Sequence, residues 1–428
     1  MDIVVIGGGW AGCAAALSAR RQGGHVILIE RTDMLLGTGL VGGIMRNNGR
    51  FTATEELIAM GGGDIFRQID ANLLHRDIEF PGHHHASLYN VATMEAVIHR
   101  YLMENGVEIR LETRVTDVEM DGPRMAAVLA KQGKNPVRFD GDVFIDATGT
   151  AGPPANCSRY GNGCAMCVLR CHSFGGRVSV AEKAGVTEMV GEKNGRKGAV
   201  SGSCKLHKES LSEEIQQQLA TEGVAVVPIP ESQRLSGKLA IKACQQYALG
   251  AFEENIILLD TGHAKLMSPF FPLALLREIP GFENARYEDP YAGGIGNSVR
   301  YMGMSPRNDA LRVDNVENLF CAGEKAGLLV GHTEAICTGT LAGFNAVRQA
   351  GGKAPLVIPD ALAIGDAIGF VRQQMVAEKR LDLKYTFSGS VYFDRMKAKS
   401  LYSIDIDAIA RRVDAAGMSG VFAGETGG

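Results

Sequence analysis

Three glycines near the start of the chain have the spacing that dinucleotide binding requires. Gly7, Gly9 and Gly12 form the pattern G-x-G-x-x-G directly after the apolar run of residues 2–6. Gly7 permits a tight turn, Gly9 lets the backbone approach a pyrophosphate, and Gly12 lets a helix lie close to the preceding strand. The free N–H groups and the dipole at the start of that helix favour bound phosphate. Glu30 ends the next strand and can accept hydrogen bonds from ribose hydroxyls.

A dense group of cysteines is the second feature that could carry chemistry. Four of the nine cysteines follow the spacing C-x6-C-x2-C-x3-C. Thiolates at such spacing can ligate an iron–sulfur cluster or zinc. Two of them could instead form a redox pair, and buried structural thiols are the remaining alternative. We name these residues the cysteine cluster: Cys157, Cys164, Cys167 and Cys171. We predict a [4Fe–4S] site there, with Cys164 and Cys167 as the catalytic pair in the redox alternative.

Histidines occur at two positions of interest. His332 precedes a helix predicted at residues 333–350, where it could act as a catalytic acid. A polar residue without a chemical role at the helix start is the alternative. The run His83–His85 follows Pro81-Gly82, which predicts a loop. Three adjacent imidazoles would not face one metal from a strand, so a polar surface or a pocket wall is favoured over a metal site.

The elements that position these residues alternate between strand and helix. The sequence predicts strands at 2–6, 25–29 and 107–111, helices at 13–22 and 93–105, and a small antiparallel meander at 114–120, 124–130 and 135–139. An apolar strand then ends in Ala147-Thr148-Gly149, and a later one ends in Gly323-Glu324. The long helix at 333–350 follows that second turn.

This order of elements resembles the FAD domain of the glutathione-reductase-like flavoproteins. The resemblance implies that the Gly323-Glu324 turn returns to the cofactor and that the N-terminus of the long helix faces the flavin ring. A positive helix end there would stabilise negative charge on reduced flavin. The residues we expect to contact FAD are Gly7, Gly9, Trp10, Ala11, Gly12, Glu30, Arg31, Val115, Ala147, Thr148, Gly149, Gly323, Glu324 and Thr333.

Two segments resemble narrower families. Residues 317–348 resemble the last flavin-binding segment of the folate- and FAD-dependent tRNA uridine methyltransferases and their tRNA-modifying relatives. The matching positions are Gly331, Glu334, Ala335, Gly339 and Gly343. Residues 38–43 resemble the FAD oxidoreductases of the heterodisulfide-reductase type. The methyltransferases carry a cysteine shortly after their second strand, whereas this chain has none between Cys13 and Cys157. Their methyl-transfer chemistry is therefore not carried over.

The bulk composition fits a globular enzyme. The chain has 428 residues, 45% of them hydrophobic and 21% charged, which predicts two to three domains. A net charge of −4 provides no basic field, so RNA is not expected as a partner. Met1 leads directly into the first strand and no long apolar stretch occurs, so neither a signal peptide nor a membrane span is expected. We expect a cytoplasmic, reducing location for the cysteines.

These observations predict an α/β fold with three parts. A Rossmann-like FAD-binding domain, with a parallel sheet and a small antiparallel meander, occupies residues 1–155 and 290–358. A cap or substrate domain is inserted at 156–289, and a small helical C-terminal appendage covers 359–428.

The predicted function is an FAD-dependent oxidoreductase that passes electrons between flavin and a small substrate, a thiol pair or an iron–sulfur centre. The alternatives are a folate- or NADH-linked RNA-modifying flavoprotein and an electron-transfer flavoprotein without a substrate of its own. A small molecule or a redox protein is the expected partner, and a homo-oligomer is compatible with the sequence.

Overall fold

A computed structural model describes most of the chain: residues 1–149, 178–193, 196–197, 199–201, 204–235, 237, 239, 245–267, 271–288, 298–300 and 302–424. The cysteine cluster lies outside these residues, so its metal and redox roles stay predictions. Within the described residues no helix is both long enough and apolar enough to cross a membrane.

Twenty-one strands and thirteen helices occur in the described residues, the 3-10 turns not counted. The strands are β1 (Asp2–Ile6), β2 (His25–Ile29), β3 (Ile44–Met45), β4 (Leu73–Phe80), β5 (His83–Tyr89), β6 (Glu108–Arg110), β7 (Thr113–Asp121), β8 (Arg124–Gln132), β9 (Asn135–Asp140), β10 (Val143–Asp146), β11 (Met189–Val190), β12 (Glu192–Lys193), β13 (Arg196–Lys197), β14 (Ala199–Ser201), β15 (Cys204–Leu206), β16 (Val224–Pro228), β17 (Asn255–Asp260), β18 (Ala264–Leu266), β19 (Ser298–Arg300), β20 (Gly303–Met304) and β21 (Leu319–Cys321). The helices are α1 (Trp10–Arg21), α2 (Gly39–Gly42), α3 (Gly49–Ala59), α4 (Asp64–Ala71), α5 (Met94–Glu104), α6 (Val180–Lys183), α7 (Glu213–Glu222), α8 (Ala251–Glu254), α9 (Leu273–Leu276), α10 (His332–Ala350), α11 (Ala363–Val376), α12 (Ser390–Ala398) and α13 (Ile406–Ala415).

A five-stranded parallel sheet forms the centre of the fold, in the order β21-β10-β1-β2-β6. Ile3, Val4 and Val5 in β1 are fully buried, as expected for a parallel strand covered on both faces. The predicted meander is present as the antiparallel sheet β7-β8-β9. The predicted α/β, Rossmann-like architecture is therefore confirmed.

Helices α1 and α10 lie against each other with their backbones in close approach. A Cβ atom added at Gly339 would overlap the carbonyl oxygen of Ala11, and one added at Gly343 would overlap that of Ala15. Because both pairs ascend together along the chain, the two helices run parallel. Small residues on both helices allow this approach, and a larger side chain at either glycine would force the helices apart.

The C-terminal helices pack into the same apolar core as the parallel sheet. Glu56 of α3 is fully buried and accepts hydrogen bonds from the backbone N–H groups of Ala363 and Ile364, at 2.9 and 3.1 Å. Its carboxylate therefore satisfies free donors at the start of α11. Arg412 of α13 donates to the same carboxylate at 3.0 Å. Glu56 thus joins both α11 and α13 to α3.

Residues between 204 and 288 form a second apolar core around the antiparallel sheet β15-β18-β17-β16. Helices α7 and α9 contribute Leu219 and Leu276 to it. This unit lies within the predicted cap domain, and the domain boundaries themselves stay a prediction.

The loop predicted for the histidine run is wrong. His83–His85 begin strand β5, and Pro81-Gly82 form only the turn that joins it to β4. Strand alternation leaves His83 buried and His84 exposed.

Candidate functional site

The three fingerprint glycines differ in what surrounds them. Gly7 has φ +103°, and a Cβ there would lie 2.5 Å from the carbonyl oxygen of Ala147. A Cβ at Gly12 would overlap the carbonyl oxygen of Gly7. For Gly9 the nearest such atom is the carbonyl oxygen of Leu36, 4.0 Å away. Packing therefore requires glycine at positions 7 and 12, whereas a Cβ at Gly9 would make no close contact with any described residue. Gly9 lies at the start of α1, where a pyrophosphate would approach the backbone.

Glu30 is held in one orientation by three hydrogen bonds. Its Oε2 accepts the N–H of Gly8 at 2.7 Å, and its Oε1 accepts the N–H and hydroxyl of Thr32 at 2.9 and 3.0 Å. A carboxylate offers about four acceptor positions, so capacity remains for ribose hydroxyls. Glu30 therefore lies beside the glycine turn, as the fingerprint predicts.

Arg31 and Val115 lie close to the same region. The N–H of Thr113 in β7 donates to the carbonyl of Glu30 at 2.9 Å, which brings the start of that strand to the acid. Val115 is buried two residues further along β7. Burial lowers the pKa of Arg31, and the Glu30 carboxylate opposes that shift. Their contact with FAD stays a prediction.

The turn after β10 lies against the fingerprint. The hydroxyl of Thr148 donates to Oδ1 of Asp146 at 2.6 Å, which closes the turn. The carbonyl of Ala147 is the group that excludes a side chain at Gly7. Gly149 has φ +67°, and no atom of the described residues lies within 4 Å of an added Cβ.

The turn after β21 joins the same place. Gly323 has φ +63°, and a Cβ there would lie 2.8 Å from the Cβ of Ala11. The N–H of Gly323 donates to the hydroxyl of Thr338 in α10 at 2.9 Å. Glu324 is partly buried in the following 3-10 turn. The fold therefore brings Gly323 onto α1, although the two are far apart in the sequence.

Helices α1 and α10 run parallel, but their N-termini are offset along the shared helix direction. Ala11 is level with Gly339, so the start of α1 at Trp10 is level with residue 338. Helix α10 begins six residues earlier, at His332. At 1.5 Å per residue, its N-terminus projects about 9 Å beyond that of α1. Two positive helix ends therefore lie one after the other along the candidate site.

The N-terminus of α10 contains a buried polar group, the hydroxyl of Thr333. The residue is fully buried, and its hydroxyl has no hydrogen-bond partner among the residues that the structure describes. A buried hydroxyl without a partner destabilises a protein by about 1–3 kcal/mol, so a ligand that supplied one would fit here. The open face of Gly9 and this hydroxyl are the two features that FAD would complete.

His332 begins α10 rather than preceding it. Its ring lies 6.3 Å from the Trp10 ring, centroid to centroid, and Trp10 packs edge-on against Tyr89 at 5.9 Å. A Cβ added at Gly42, the last residue of α2, would overlap the imidazole. The structure thus brings His332 to the fingerprint helix, and its catalytic role stays a prediction.

A buried ion pair at the start of α10 does not follow from the sequence patterns. Nε of Arg50 lies 3.1 Å from both carboxylate oxygens of Glu334, and the two side chains are 5% and 0% exposed. Glu334 also accepts the hydroxyl of Thr386 at 2.6 Å and the N–H of Phe387 at 2.9 Å. Glu334 is a position that matches the methyltransferase-like segment, but nothing local indicates Arg50 as its partner.

His83 lies in a polar pocket next to this pair. The amide of Asn47 donates to Nδ1 of His83 at 2.9 Å, and Nε2 of His83 lies 3.0 Å from the carbonyl of Gln246. Because the carbonyl can only accept, Nε2 carries the proton and the ring is neutral. The ring stacks on Phe80 at 4.6 Å. His83 is therefore a bonded core residue and not part of a surface metal site.

The described cysteines are buried thiols. Cys13, Cys204, Cys321 and Cys337 are all buried and unpaired by disulfides. Burial raises the pKa of Cys13 and of Cys321 to about 12, so neither is a thiolate near neutral pH. No group of three or more His, Cys, Asp or Glu residues that could hold a metal ion occurs in the described part of the chain. The cysteine cluster lies outside that part.

Two different family models match the two sequence segments that form the candidate site. Residues 2–152 match the family model described as FAD dependent oxidoreductase, and residues 262–354 match glucose inhibited division protein A. The first segment contains the glycine fingerprint and the second contains Gly323 and α10. The chain is thus similar to FAD-dependent oxidoreductases over its first segment and to glucose inhibited division protein A over its second.

Proteins similar in sequence to this chain include tRNA-modifying enzymes. It is 34% identical over 100 residues to the methylenetetrahydrofolate–tRNA-(uracil-5-)-methyltransferase TrmFO of Thermus thermophilus, covering 23% of this chain and 21% of TrmFO. It is 24% identical over 415 residues to the tRNA uridine 5-carboxymethylaminomethyl modification enzyme MnmG of Chlorobaculum tepidum. That alignment covers 83% of this chain and 64% of MnmG. The matches therefore span about a fifth to two thirds of the relatives' own lengths.

Solved structures agree with the α/β, Rossmann-like fold. The form II crystal structure of Aquifex aeolicus GidA superimposes with a TM-score of 0.67 at 17% identity, covering 98% of this chain and 73% of GidA. Form I of the same protein gives a TM-score of 0.64. At this identity the likeness is one of fold.

Proposed function

We propose that the chain binds FAD along the N-termini of α1 and α10 and uses it for oxidation and reduction. The observation that carries the proposal is the pair of helix ends: within the described residues, a Cβ added at Gly9 meets only the carbonyl oxygen of Leu36, at 4.0 Å, and the buried hydroxyl of Thr333 has no partner. The two ends are about 9 Å apart along parallel helices, which suits an extended dinucleotide better than a single phosphate.

The chain's own residues divide the binding between them. Backbone N–H groups at the start of α1 bind the pyrophosphate, and Glu30 accepts from ribose hydroxyls. The N-terminus of α10 stabilises negative charge in front of it, and His332 holds a proton at that end. When bound, FAD supplies two-electron oxidation–reduction chemistry. The remaining proposed contacts are those expected from the resemblance: Trp10, Ala11, Arg31, Val115, Ala147, Thr148, Gly149, Gly323, Glu324 and Thr333.

The electrons pass to or from a small substrate, a thiol pair or an iron–sulfur centre in this proposal. The cysteine cluster supplies the last two options, and it follows the Ala147–Gly149 turn closely in sequence. Four thiols at that spacing are the support for the iron–sulfur option.

Release of the cofactor tests the proposal. Protein purified from cells is denatured, and the supernatant is examined for FAD by chromatography. We expect free FAD in about equal amount to protein, because backbone N–H groups and glycines bind it without a covalent link. Retention of the yellow colour in the precipitate, or release of NAD instead, would refute the proposal.

The second candidate function is modification of uridine in RNA. The specific observation in its favour is the alignment with MnmG, which extends over 83% of this chain, together with the TrmFO matches. This candidate has more support from the comparisons than a small-molecule substrate has, although the net charge of −4 points away from RNA. The sequence lacks a cysteine near residues 45–48, so a mechanism copied from the methyltransferases is not part of the candidate.

Unmodified tRNA transcripts test the second candidate. The flavin-loaded protein is incubated with transcript and NADH, with and without methylenetetrahydrofolate, and the nucleosides are examined by mass spectrometry. A mass increase on uridine that disappears in Gly9→Val would support it. Unchanged uridine in all reactions, with NADH oxidised by small acceptors, would leave only the oxidoreductase.

A further inference from the structure

We propose that Arg50 is a positioning residue which neutralises Glu334, so that the N-terminus of α10 keeps a positive potential toward bound flavin. The inference rests on the proposed FAD site. It assigns to a buried ion pair the task of tuning the flavin, a role beyond holding the fold together.

Three helices begin around this pair. Arg50 lies in the first turn of α3, Glu334 lies in the first turn of α10, and α12 begins at Ser390. The segment before α12 supplies the Thr386 hydroxyl and the Phe387 N–H to the Glu334 carboxylate. Each helix start contributes partial positive charge. A carboxylate is stable there, but alone it would cancel the potential that these helix ends provide.

Arg50 supplies the compensating charge. Its Nε binds both oxygens of Glu334, NH1 donates to Oδ1 of Asn47 at 3.2 Å, and NH2 donates to Thr386 at 3.2 Å. Burial alone would lower the pKa of Arg50, but Glu334 and Tyr247 together raise it above its ordinary value. Arg50 is therefore charged at all working pH values, and the pair has no net charge.

The backbone next to the Arg50–Glu334 pair cannot accommodate a side chain at Gly331. Gly331 precedes α10 with φ +153°, and a Cβ there would overlap both Oε2 of Glu334 and NH2 of Arg50. Thr333, whose hydroxyl has no partner within the described part of the chain, is the residue directly before Glu334. The pair thus lies immediately behind the backbone that we propose faces the flavin.

Charge compensation predicts opposite shifts of the flavin midpoint potential in the two single variants, which a general loss of structure does not predict. Removing the negative charge in Glu334→Gln leaves Arg50 in excess, which favours electron-rich reduced flavin and raises its midpoint potential. Removing the positive charge in Arg50→Gln leaves the carboxylate in excess and lowers the potential. The double variant restores neutrality. We expect each single change to shift the ratio of oxidised to reduced flavin at least tenfold, which is about 30 mV for a two-electron couple.

The experiment is a spectroscopic redox titration of the flavin-loaded full chain. The expected ranking of midpoint potentials is Arg50→Gln below wild type, the double variant close to wild type, and Glu334→Gln above both. Thr386→Val is the matched control: it removes hydrogen bonds from the pair without changing charge, so it should lower Tm and leave the potential in place.

Any other ranking overturns the inference, including single variants that shift the potential in the same direction. If Arg50→Gln fails to fold, the remaining variants still test the inference. The midpoint potential of Glu334→Gln must then lie above that of wild type and above that of the double variant. Wild-type protein that contains no FAD would refute the proposed function, whereas a flavin-loaded series with a different ranking refutes only the role of Arg50.

Discussion

Gly9→Val should abolish FAD binding while leaving the apo fold stable. The backbone at Gly9 has φ −67° and ψ −179°, an extended conformation that valine adopts without strain. The nearest atom of the described residues to an added Cβ is 4.0 Å away, so the first side-chain carbon fits in the absence of ligand. The remaining cost is the loss of a favourable N-cap, about 1 kcal/mol or less.

Gly12→Ala is the contrasting variant, because there the fold itself excludes a side chain. Its Cβ would overlap the carbonyl oxygen of Gly7, which belongs to backbone and cannot rotate away. Helix α1 would have to move from the sheet, at an overpacking cost of about 1–3 kcal/mol or more. We expect a lower Tm for the apo protein, by roughly 1 °C for each kcal/mol in a chain of this size.

Thermal unfolding with and without FAD measures both effects. At a free FAD concentration of about 100 times Kd, binding stabilises the folded state by about 2.7 kcal/mol, or roughly 3 °C in Tm. Wild type should show this shift. Gly9→Val should keep the apo Tm within about 1 °C of wild type and show no shift. A normal FAD shift in Gly9→Val, or an apo Tm as low as that of Gly12→Ala, would refute the assignment of the open space to the cofactor.

Three further predictions concern single groups. Glu30→Ala should weaken FAD binding in a titration, but less than Gly9→Val, because it removes hydrogen bonds worth about 1.5–3 kcal/mol; equal losses would contradict this. Anaerobically purified wild type should contain about four irons per chain and absorb near ~400 nm, and a Cys→Ser change in the cysteine cluster should lose iron but keep FAD. Absence of iron, with turnover lost only on changing Cys164 or Cys167, would indicate the redox pair instead. Asp366→Asn should lower the free energy of unfolding at pH 7 by about 1.5–3 kcal/mol. Burial opposes ionisation of Asp366, but bonds from Arg395 and Lys399 outweigh it and lower the pKa. A lowered folded-state pKa means that this stabilisation is present above the unfolded value near ~3.9 and is lost as pH falls through the folded value. Urea unfolding at about pH 7 and pH 3 should therefore show the difference from wild type shrink, and a constant difference would count against it.

The parts of the site that local patterns encode could be predicted from the sequence. Strands β1 and β2 begin and end at the predicted residues, because each is a short β-branched run with glycines on one side, after β1 and before β2. Helix α10 begins one residue before the predicted start. Helix α1 begins three residues before its predicted start, because Gly9 serves as its N-cap and the glycine turn is shorter than the pattern suggests.

Other parts depend on contacts that no local pattern contains. The sequence indicates the turn before His83–His85 but not the strand that follows it. The pairing of that strand with β4 is irregular in register, and the His83 ring contacts the ring of Tyr247, which is distant in the sequence. Short polar strands of this kind give weak periodicity, and tertiary contacts decide their conformation. The burial of His83 follows from Phe80 and Tyr247, which lie on different elements.

The Arg50–Glu334 pair shows most clearly why position along the chain is a poor guide to this site. The two residues are 284 positions apart, and each looks ordinary where it stands, a charged residue in the first turn of a helix. Arginine is even unfavourable there for an isolated helix, because its charge repels the helix dipole. Glu334 removes that conflict for α3, and Arg50 in turn removes the excess negative charge at α10. A buried pair of this kind is rarely worth more than apolar packing of the same volume. Stability alone is therefore a weak reason for charge at this position, and a potential imposed on the space in front of α10 is the stronger one.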